Sequence, residues 1–341
     1  MDFKHVVVIG ASAGGIQVIR ELISRLPSDY KPPIFIVFHV GKNTMMESFV
    51  ARIQKLTALK CEIAENKKAI EAGRIYFARA DHHLFIKKNK MLLVDGPPEN
   101  RWRPSIDVLF RSAAVSFNSR CIGIVLSGLL DDGTAGMLAI KKCGGICIVQ
   151  EPDEAEFSDM PQNVLQLVEV DYRIPATDIP YVLKDLSTQQ PRDEAKIPHE
   201  IALEAKMNEQ MQSTIEDLAK IGKHSNYTCP DCGGNLWEIQ NEHGNRYRCH
   251  TGHVYTERLL AEQQGEKLED ALWTAVRLLE ERKNLLQLAA DRHGRDKKNT
   301  IVSAGNTKDL SEHIESLKGL IRSVVDEKNN DGSSSLPSPE K

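Results

Sequence analysis

The chain has 341 residues and a formal net charge of −4, and at roughly 100 to 200 residues per domain it should hold two domains, with room for an appended segment. With 41% apolar, 27% charged and 6% aromatic residues, its composition excludes a collagen-like or wholly disordered chain. Near-balanced charge argues against a nucleic-acid partner, no run reaches the roughly 18 to 20 apolar residues of a membrane helix, and no basic region precedes an apolar run at the N-terminus; the expected setting is cytoplasmic, without membrane insertion.

From residue 4 to about 150, short apolar runs alternate with stretches of helical length, the pattern of βαβ units. Val6 to Ile9, Ile34 to Phe38 and Cys121 to Leu126 are rich in Val and Ile, as strands covered on both faces require. Helical patterns follow at Gly14 to Leu26, Thr44 to Leu56 and Gly133 to Lys142. The expected fold is α/β, a doubly wound and mainly parallel sheet with helices on both faces. Ile75 to Ala78, Leu84 to Lys87 and Met91 to Val94 read as short strands, the last two forming a hairpin. Ser105 caps a helix to about Phe117, and Pro161 suits the first turn of another.

The expected divisions are a catalytic domain over 1–186, a helical linker over 187–224, a small zinc-ribbon-like module, Cys/His-rich and loop-rich, over 225–256, a helical hairpin or coiled-coil segment over 257–328, and a disordered Ser/Pro-rich tail over 329–341. The helical segment should pack against another helix, within the chain, in a partner or in a second copy.

Val6-Val7-Val8-Ile9-Gly10-Ala11-Ser12-Ala13-Gly14 is a strand running through a tight turn into a helix, and it satisfies the G-x-S-x-G pattern that lifts a serine hydroxyl clear of a sheet. The Ala13 amide is one donor candidate for an oxyanion beside that serine. A Gly-rich turn could instead cradle a nucleotide phosphate. Against that, Ser12 replaces the second glycine of G-x-G-x-x-G, and the next strand ends in His39 where a ribose-binding acid would stand. His39 falls at the end of the second strand, and Asp131-Asp132-Gly133 follows the third. Ligands and reacting groups gather at such strand ends in open α/β sheets. Serine, histidine and aspartate are the parts that activate a hydroxyl for acyl transfer, and their order here differs from that of the α/β-hydrolases.

These residues, with Arg103-Pro104-Ser105-Ile106-Asp107, Leu126-Ser127-Gly128, Asp132-Gly133-Thr134-Ala135-Gly136-Met137 and Ser158-Asp159-Met160-Pro161, resemble the catalytic domain of chemotaxis protein-glutamate methylesterases of the CheB type, over about residues 4 to 185. The resemblance implies that Ser12 is the nucleophile, His39 the general base and Asp132 the group orienting the histidine, with no catalytic cofactor. It also implies hydrolysis of glutamate methyl esters on chemoreceptors through an acyl-enzyme with release of methanol, and deamidation of receptor glutamine. Many such proteins carry an N-terminal receiver domain; the expectation here is a stand-alone form. Where the family usually has Met then Gly, this chain has Leu129 and Leu130, and a glycine held at positive φ would not give way to leucine without a shift. That departure favours the alternative, a non-catalytic signalling adaptor that keeps the methylesterase fold.

The seven cysteines are an odd set: Cys61, Cys121, Cys143 and Cys147 are scattered, while Cys229, Cys232 and Cys249 crowd around one Cys-x-x-Cys pair. In a chain without a secretion signal this argues for a metal site over disulfides. Cys229, Cys232, Cys249 and His253 supply the four ligands of a structural, tetrahedral zinc. His250 is the rival fourth ligand, disfavoured because it adjoins Cys249. The Cys-Pro-x-Cys-Gly-Gly and Arg-Cys-His-x-Gly-His pattern is similar to extensions on some stand-alone methylesterase-like proteins.

Overall fold

The computed structural model describes residues 3–241, 244–292 and 297–331. Residues 1–257 form one compact unit and residues 258–341 a second.

In the first unit, β1 (Val6–Ala11), α1 (Gly15–Ser24), β2 (Ile34–Phe38), α2 (Met46–Gln54), β3 (Lys60–Ile63) and β4 (Arg74–Phe77) come first, followed by a hairpin of β5 (His83–Lys87) and β6 (Lys90–Val94). After it run α3 (Ile106–Phe117), β7 (Cys121–Val125), α4 (Thr134–Lys142), β8 (Ile146–Gln150), α5 (Asp159–Leu167), β9 (Tyr172–Ile174) and α6 (Ile179–Thr188). Seven strands join in the order β3-β4-β2-β1-β7-β8-β9, and all six pairings are parallel. Side chains alternate across it with the period of two that a strand imposes. Val6, Val8, Phe35, Val37 and Val125 face α3, α4 and α5, while Val7, Ile9, Ile34, Ile36 and Ile124 face α1, α2 and α6. Because both faces are covered, the expected doubly wound fold is the observed one, and the strand order reverses beside β1.

Three sheet strands stand outside the sequence expectation. β3 and β9 are edge strands of four and three residues, too short to show a period, and β8 continues directly from the Gly144-Gly145 turn that ends α4.

Residues 189–256 belong to the same unit. Asn118 binds Ala195 through both its amide groups, and the Ser119 hydroxyl donates to the Arg192 carbonyl. Then come α7 (His199–Gln210), α8 (Ile215–Ile221), β10 (Lys223–Thr228), β11 (Asn235–Asn241), β12 (Gly244–Cys249) and β13 (Val254–Thr256). The module expected to be loop-rich is therefore a four-stranded antiparallel sheet, β10-β11-β12-β13. Its strands are rich in Asn, Tyr and Arg, which hide the apolar alternation by which a strand is usually read.

The second unit holds α9, which starts at Glu257 and runs to Arg292, and α10 (Lys297–Asp331). Leu272, Val276 and Leu279 pack on Ile314, Leu317 and Ile321, a helical-spacing stripe on each side of a hairpin. The expected tail is helical as far as Asp331, and the rest of it lies outside the described residues. Among the described residues no helix is long and apolar enough to cross a membrane.

Candidate active site

The backbone at the end of β1 creates the first position. An added Cβ on Gly10 would lie 2.4 Å from Ile106 and one on Gly15 would lie 2.6 Å from Ala11, so α1 and α3 approach only because these positions are glycine. Gly14 takes φ +73° as the α1 N-cap, so the chain turns sharply after Ser12. The register Ala11↔Phe38 puts His39 beside Ser12, with the His39 amide donating to the Ala11 carbonyl at 3.2 Å. From the other side the Ser12 amide donates to Ser127 O at 2.9 Å, in the segment that leads from β7 to Asp132.

These strand ends bring Ser12, His39 and Asp132 into one line. His39 Nδ1 lies 3.1 Å from Ser12 Oγ, and His39 Nε2 lies 2.8 Å from Asp132 Oδ2. The side chains of His39 and Asp132 are each 1% exposed. With Asp132 accepting at Nε2, the proton resides there and leaves the Nδ1 lone pair facing the serine hydroxyl. The imidazole stacks on Trp102 with centroids 4.0 Å apart and planes 7° from parallel.

Asp132 is set by the N-terminus of α3. It accepts from the amides of Ile106 (2.7 Å) and Asp107 (3.2 Å) and from the Ser105 hydroxyl (2.9 Å). Burial alone would raise its pKa, but the His39 bond and charge, the Ile106 amide and the Ser105 hydroxyl outweigh it and hold the carboxyl below its usual range. Asp107 repays the arrangement: its Oδ1 accepts from Gly133 and Gly136 at the start of α4, at 3.1 and 2.6 Å. Each helix start is thus held by the carboxylate from the other's approach. Burial, and after it the Asp132 charge, push the Asp107 carboxyl up to about 7.

Leu130 takes the left-handed backbone, φ +66°, a conformation that favours glycine. Asp159 accepts from its amide at 3.3 Å, and Asn163 donates to its carbonyl at 2.9 Å. Those two bonds fix the peptide orientation against the steric preference of leucine.

Sequence reasoning did not single out Trp102, Asn100 or Asp107 as site residues. Asn100 Nδ2 donates to Asp107 Oδ2 at 3.0 Å and to Asp132 Oδ1 at 3.4 Å. The available signal was an Asn and a Trp just ahead of the Arg103-Pro104-Ser105 motif, in a segment without periodicity.

Later in the first unit's sequence, two tight turns bring Cys229, Cys232, Cys249 and His253 together, with their ligand atoms all within 4.8 Å of one another. In one turn the Gly233 amide donates to Cys229 O at 2.8 Å; in the other the Gly252 amide donates to Cys249 O at 3.0 Å. Cys229 Sγ and Cys249 Sγ lie 3.6 and 3.5 Å from His253 Nδ1, and the Cys232 and Cys249 sulfurs are 3.8 Å apart. A tetrahedral ion with metal–sulfur bonds of about 2.3 Å needs edges of about 3.8 Å, so the donor set suits a four-coordinate metal. Bonds from Cys249, and then from His253 and Tyr255, hold the Cys229 thiol down at about 3, in the thiolate form that binds metal. His250 is exposed and lies outside this cluster.

A doubly wound parallel sheet with a Ser–His–Asp hydrogen-bonded line at its switch point has the architecture of a hydrolase. The chain belongs to the CheB methylesterase family, whose family model matches residues 7–183. A relative from Leptospira interrogans, by its provisional name a protein-glutamate methylesterase/protein-glutamine glutaminase, is 39% identical over 167 residues, covering 49% of this chain and 86% of that one. The protein-glutamate methylesterase/protein-glutamine glutaminase of Hydrogenovibrio crunogenus is 34% identical over 179 residues, 51% of this chain and 47% of its own. Against that longer relative the chain spans about half the length. Among solved structures, the CheB methylesterase catalytic domain of Thermotoga maritima is similar at a TM-score of 0.52 and 30% identity, over 53% of this chain and 98% of that one.

Proposed function

We propose that this chain is a protein-glutamate methylesterase that hydrolyses glutamate methyl esters on chemoreceptors or similar methylated signalling proteins and deamidates glutamine on them, using Ser12, His39 and Asp132. The observation that carries the reading is the unbroken line from Ser12 Oγ through the imidazole to a buried, ionised Asp132.

In this reading Ser12 Oγ attacks the ester carbonyl carbon while His39 Nδ1 takes its proton. The imidazolium forms with Nε2–H held by the Asp132 carboxylate. Collapse of the tetrahedral intermediate breaks the bond to the methoxy oxygen, which takes the proton from Nδ1 and leaves as methanol. Water then attacks the acyl-serine, gives a proton to Nδ1, and the glutamate carboxylate departs as Ser12 is reprotonated. The Ala13 amide, in the turn that opens α1, is the proposed oxyanion donor. Glutamine follows the same course with ammonia leaving.

The cluster of Cys229, Cys232, Cys249 and His253 is read as a structural zinc site. The metal supplies folding free energy to a module of few apolar residues.

Ser12→Ala removes the attacking oxygen and little else. The expected outcome is loss of methanol release from methylated receptor by at least about a thousandfold, with an unchanged circular dichroism spectrum. Undiminished release from the variant would exclude the triad, and absence of release from the parent chain would favour the adaptor reading.

A further inference from the structure

The segment between β6 and α3 touches two of the three groups in the proposed triad. Trp102 covers the His39 ring, and Asn100 donates to Asp132. The same segment makes an unfavourable turn, since Asn100 and Arg101 both take left-handed backbone, φ +51° and +69°. Consecutive non-glycine residues in that region persist only where the surroundings over-determine them.

Its flanks are tied to the catalytic sheet's own side. His83 Nε2 lies 2.9 Å from the Pro97 carbonyl, and Arg103 donates to Asp81. The middle, Glu99 and Asn100, is held from two sides: Arg111 and Asn208 donate to Glu99, and Asn100 donates to Asp107, while the Cys/His module supplies a second set of contacts. The Asn100 amide donates to Val254 O at 2.9 Å, and Glu99 forms a β-bridge with Val254. Glu99 Oε1 accepts from Arg248 Nη1 at 2.9 Å, where both side chains are buried. A Cβ on Gly252 would stand 3.4 Å from two Pro97 ring carbons, so the second knuckle turn abuts the segment. Arg248 immediately precedes Cys249, and Val254 immediately follows His253. The module residues that grip the segment are therefore direct chain neighbours of two residues of the cluster, and a metal-closed knuckle fixes their spacing.

We propose that the Cys/His module is a strut for the active site: Arg248 and Val254 hold Glu99 and Asn100, and this sets Trp102 against His39. Trp102 and Asn100 are then positioning residues. The imidazole serves only while Nδ1 faces Ser12 and Nε2 faces Asp132 together, and a rotation about its χ2 breaks both contacts. The Trp102 face bars that rotation. This inference rests on the triad reading above.

The test uses the full chain and two readouts. The first is kcat and KM for methanol release from methylated receptor, in the parent and in Trp102→Ala, Trp102→Phe and Arg248→Met. The second is acrylamide quenching of Trp102 fluorescence in a chain carrying Trp237→Phe and Trp273→Phe, where Trp102 is the one tryptophan left of three. Trp102→Ala should lower kcat about tenfold or more with KM changed less than about twofold, and Trp102→Phe should recover most of the loss. Arg248→Met, and separately withdrawal of metal with a chelator, should each lower kcat comparably and make Trp102 more readily quenched, with far-UV circular dichroism of the α/β unit retained. Unchanged quenching and kcat on metal withdrawal would overturn the proposal, and the kcat measurement on the parent chain needs no variant to fold. Equal kcat losses in Trp102→Ala and Trp102→Phe would overturn the stacking role. Failure of the triad reading registers separately, as Ser12→Ala retaining turnover, while the quenching measurement reports the strut without any turnover.

Discussion

Leu130 is held in a conformation its side chain disfavours. At φ +66° its Cβ crowds the following carbonyl, a cost of about 1 kcal/mol or more for a residue other than glycine. The bonds from its amide to Asp159 and from Asn163 to its carbonyl sustain it. Replacing the residue by glycine relieves the crowding and leaves both backbone bonds in place, while the freer unfolded chain offsets part of the gain by roughly 0.5 to 1 kcal/mol. Leu130→Gly should therefore shift unfolding free energy by less than about 1 kcal/mol and retain methanol release. Denaturant titration and the release assay check this together; a loss beyond about 2 kcal/mol would show that the leucine side chain, and not its backbone, is what the site requires.

Two helices meet start to start at the site, and two carboxylates of opposed protonation behaviour hold them there. Asp132, ionised, serves the first amides of α3, while Asp107, in the first turn of α3, serves the start of α4. Because the folded pKa of Asp107 lies at about 7, above its ordinary 3.8, its contribution to stability is complete below the ordinary value and is lost as pH rises through about 7. Asp107→Asn keeps an oxygen for Gly133 and Gly136 and cannot ionise; Asn100, whose amide oxygen has no partner, can rotate its amide to accept from the new NH2 group. Stability curves of parent and variant should thus diverge between pH 4 and 7, the parent losing ground as pH rises, and parallel curves over that range would contradict the assignment. Legibility followed the same geometry. Ser12, His39 and Asp132 were readable because each follows a Val/Ile-rich strand, the first two directly and Asp132 after a short segment, and parallel strands deliver their ends to one edge. Trp102 and Asn100 were not, since contacts far along the chain, with His39, Asp132 and Val254, place them. The strands β10 to β13 escaped because packing on α8 and a knuckle sustains them in place of an apolar period; the Cys/His cluster was readable from its spacing alone.

At the scale of the molecule, the Cys/His module and the sheet it adjoins share one buried ionic cluster. Glu99, Arg111 and Arg248 are each at most 2% exposed, and Glu204 bridges Arg111 and Arg246. Burial acts to raise the Glu99 carboxyl, but the Arg111 and Arg248 charges overcome it and hold it at about 2. It is ionised at neutral pH, and its contribution is present above its ordinary 4.5 and fades only as pH falls toward 2. Uncovering any member leaves a charge without its partner in a dry site, which costs about 3 to 5 kcal/mol. The module therefore should not unfold by itself and leave the sheet intact. In scanning calorimetry the metal-loaded first unit should melt in one transition, with close to one zinc per chain by metal analysis. Chelation should move that whole transition downward by on the order of 10 °C, since each kcal/mol is worth about 2 to 4 °C at this size. A new low-temperature transition beside an unmoved main one would mean that the ionic cluster does not couple the two parts.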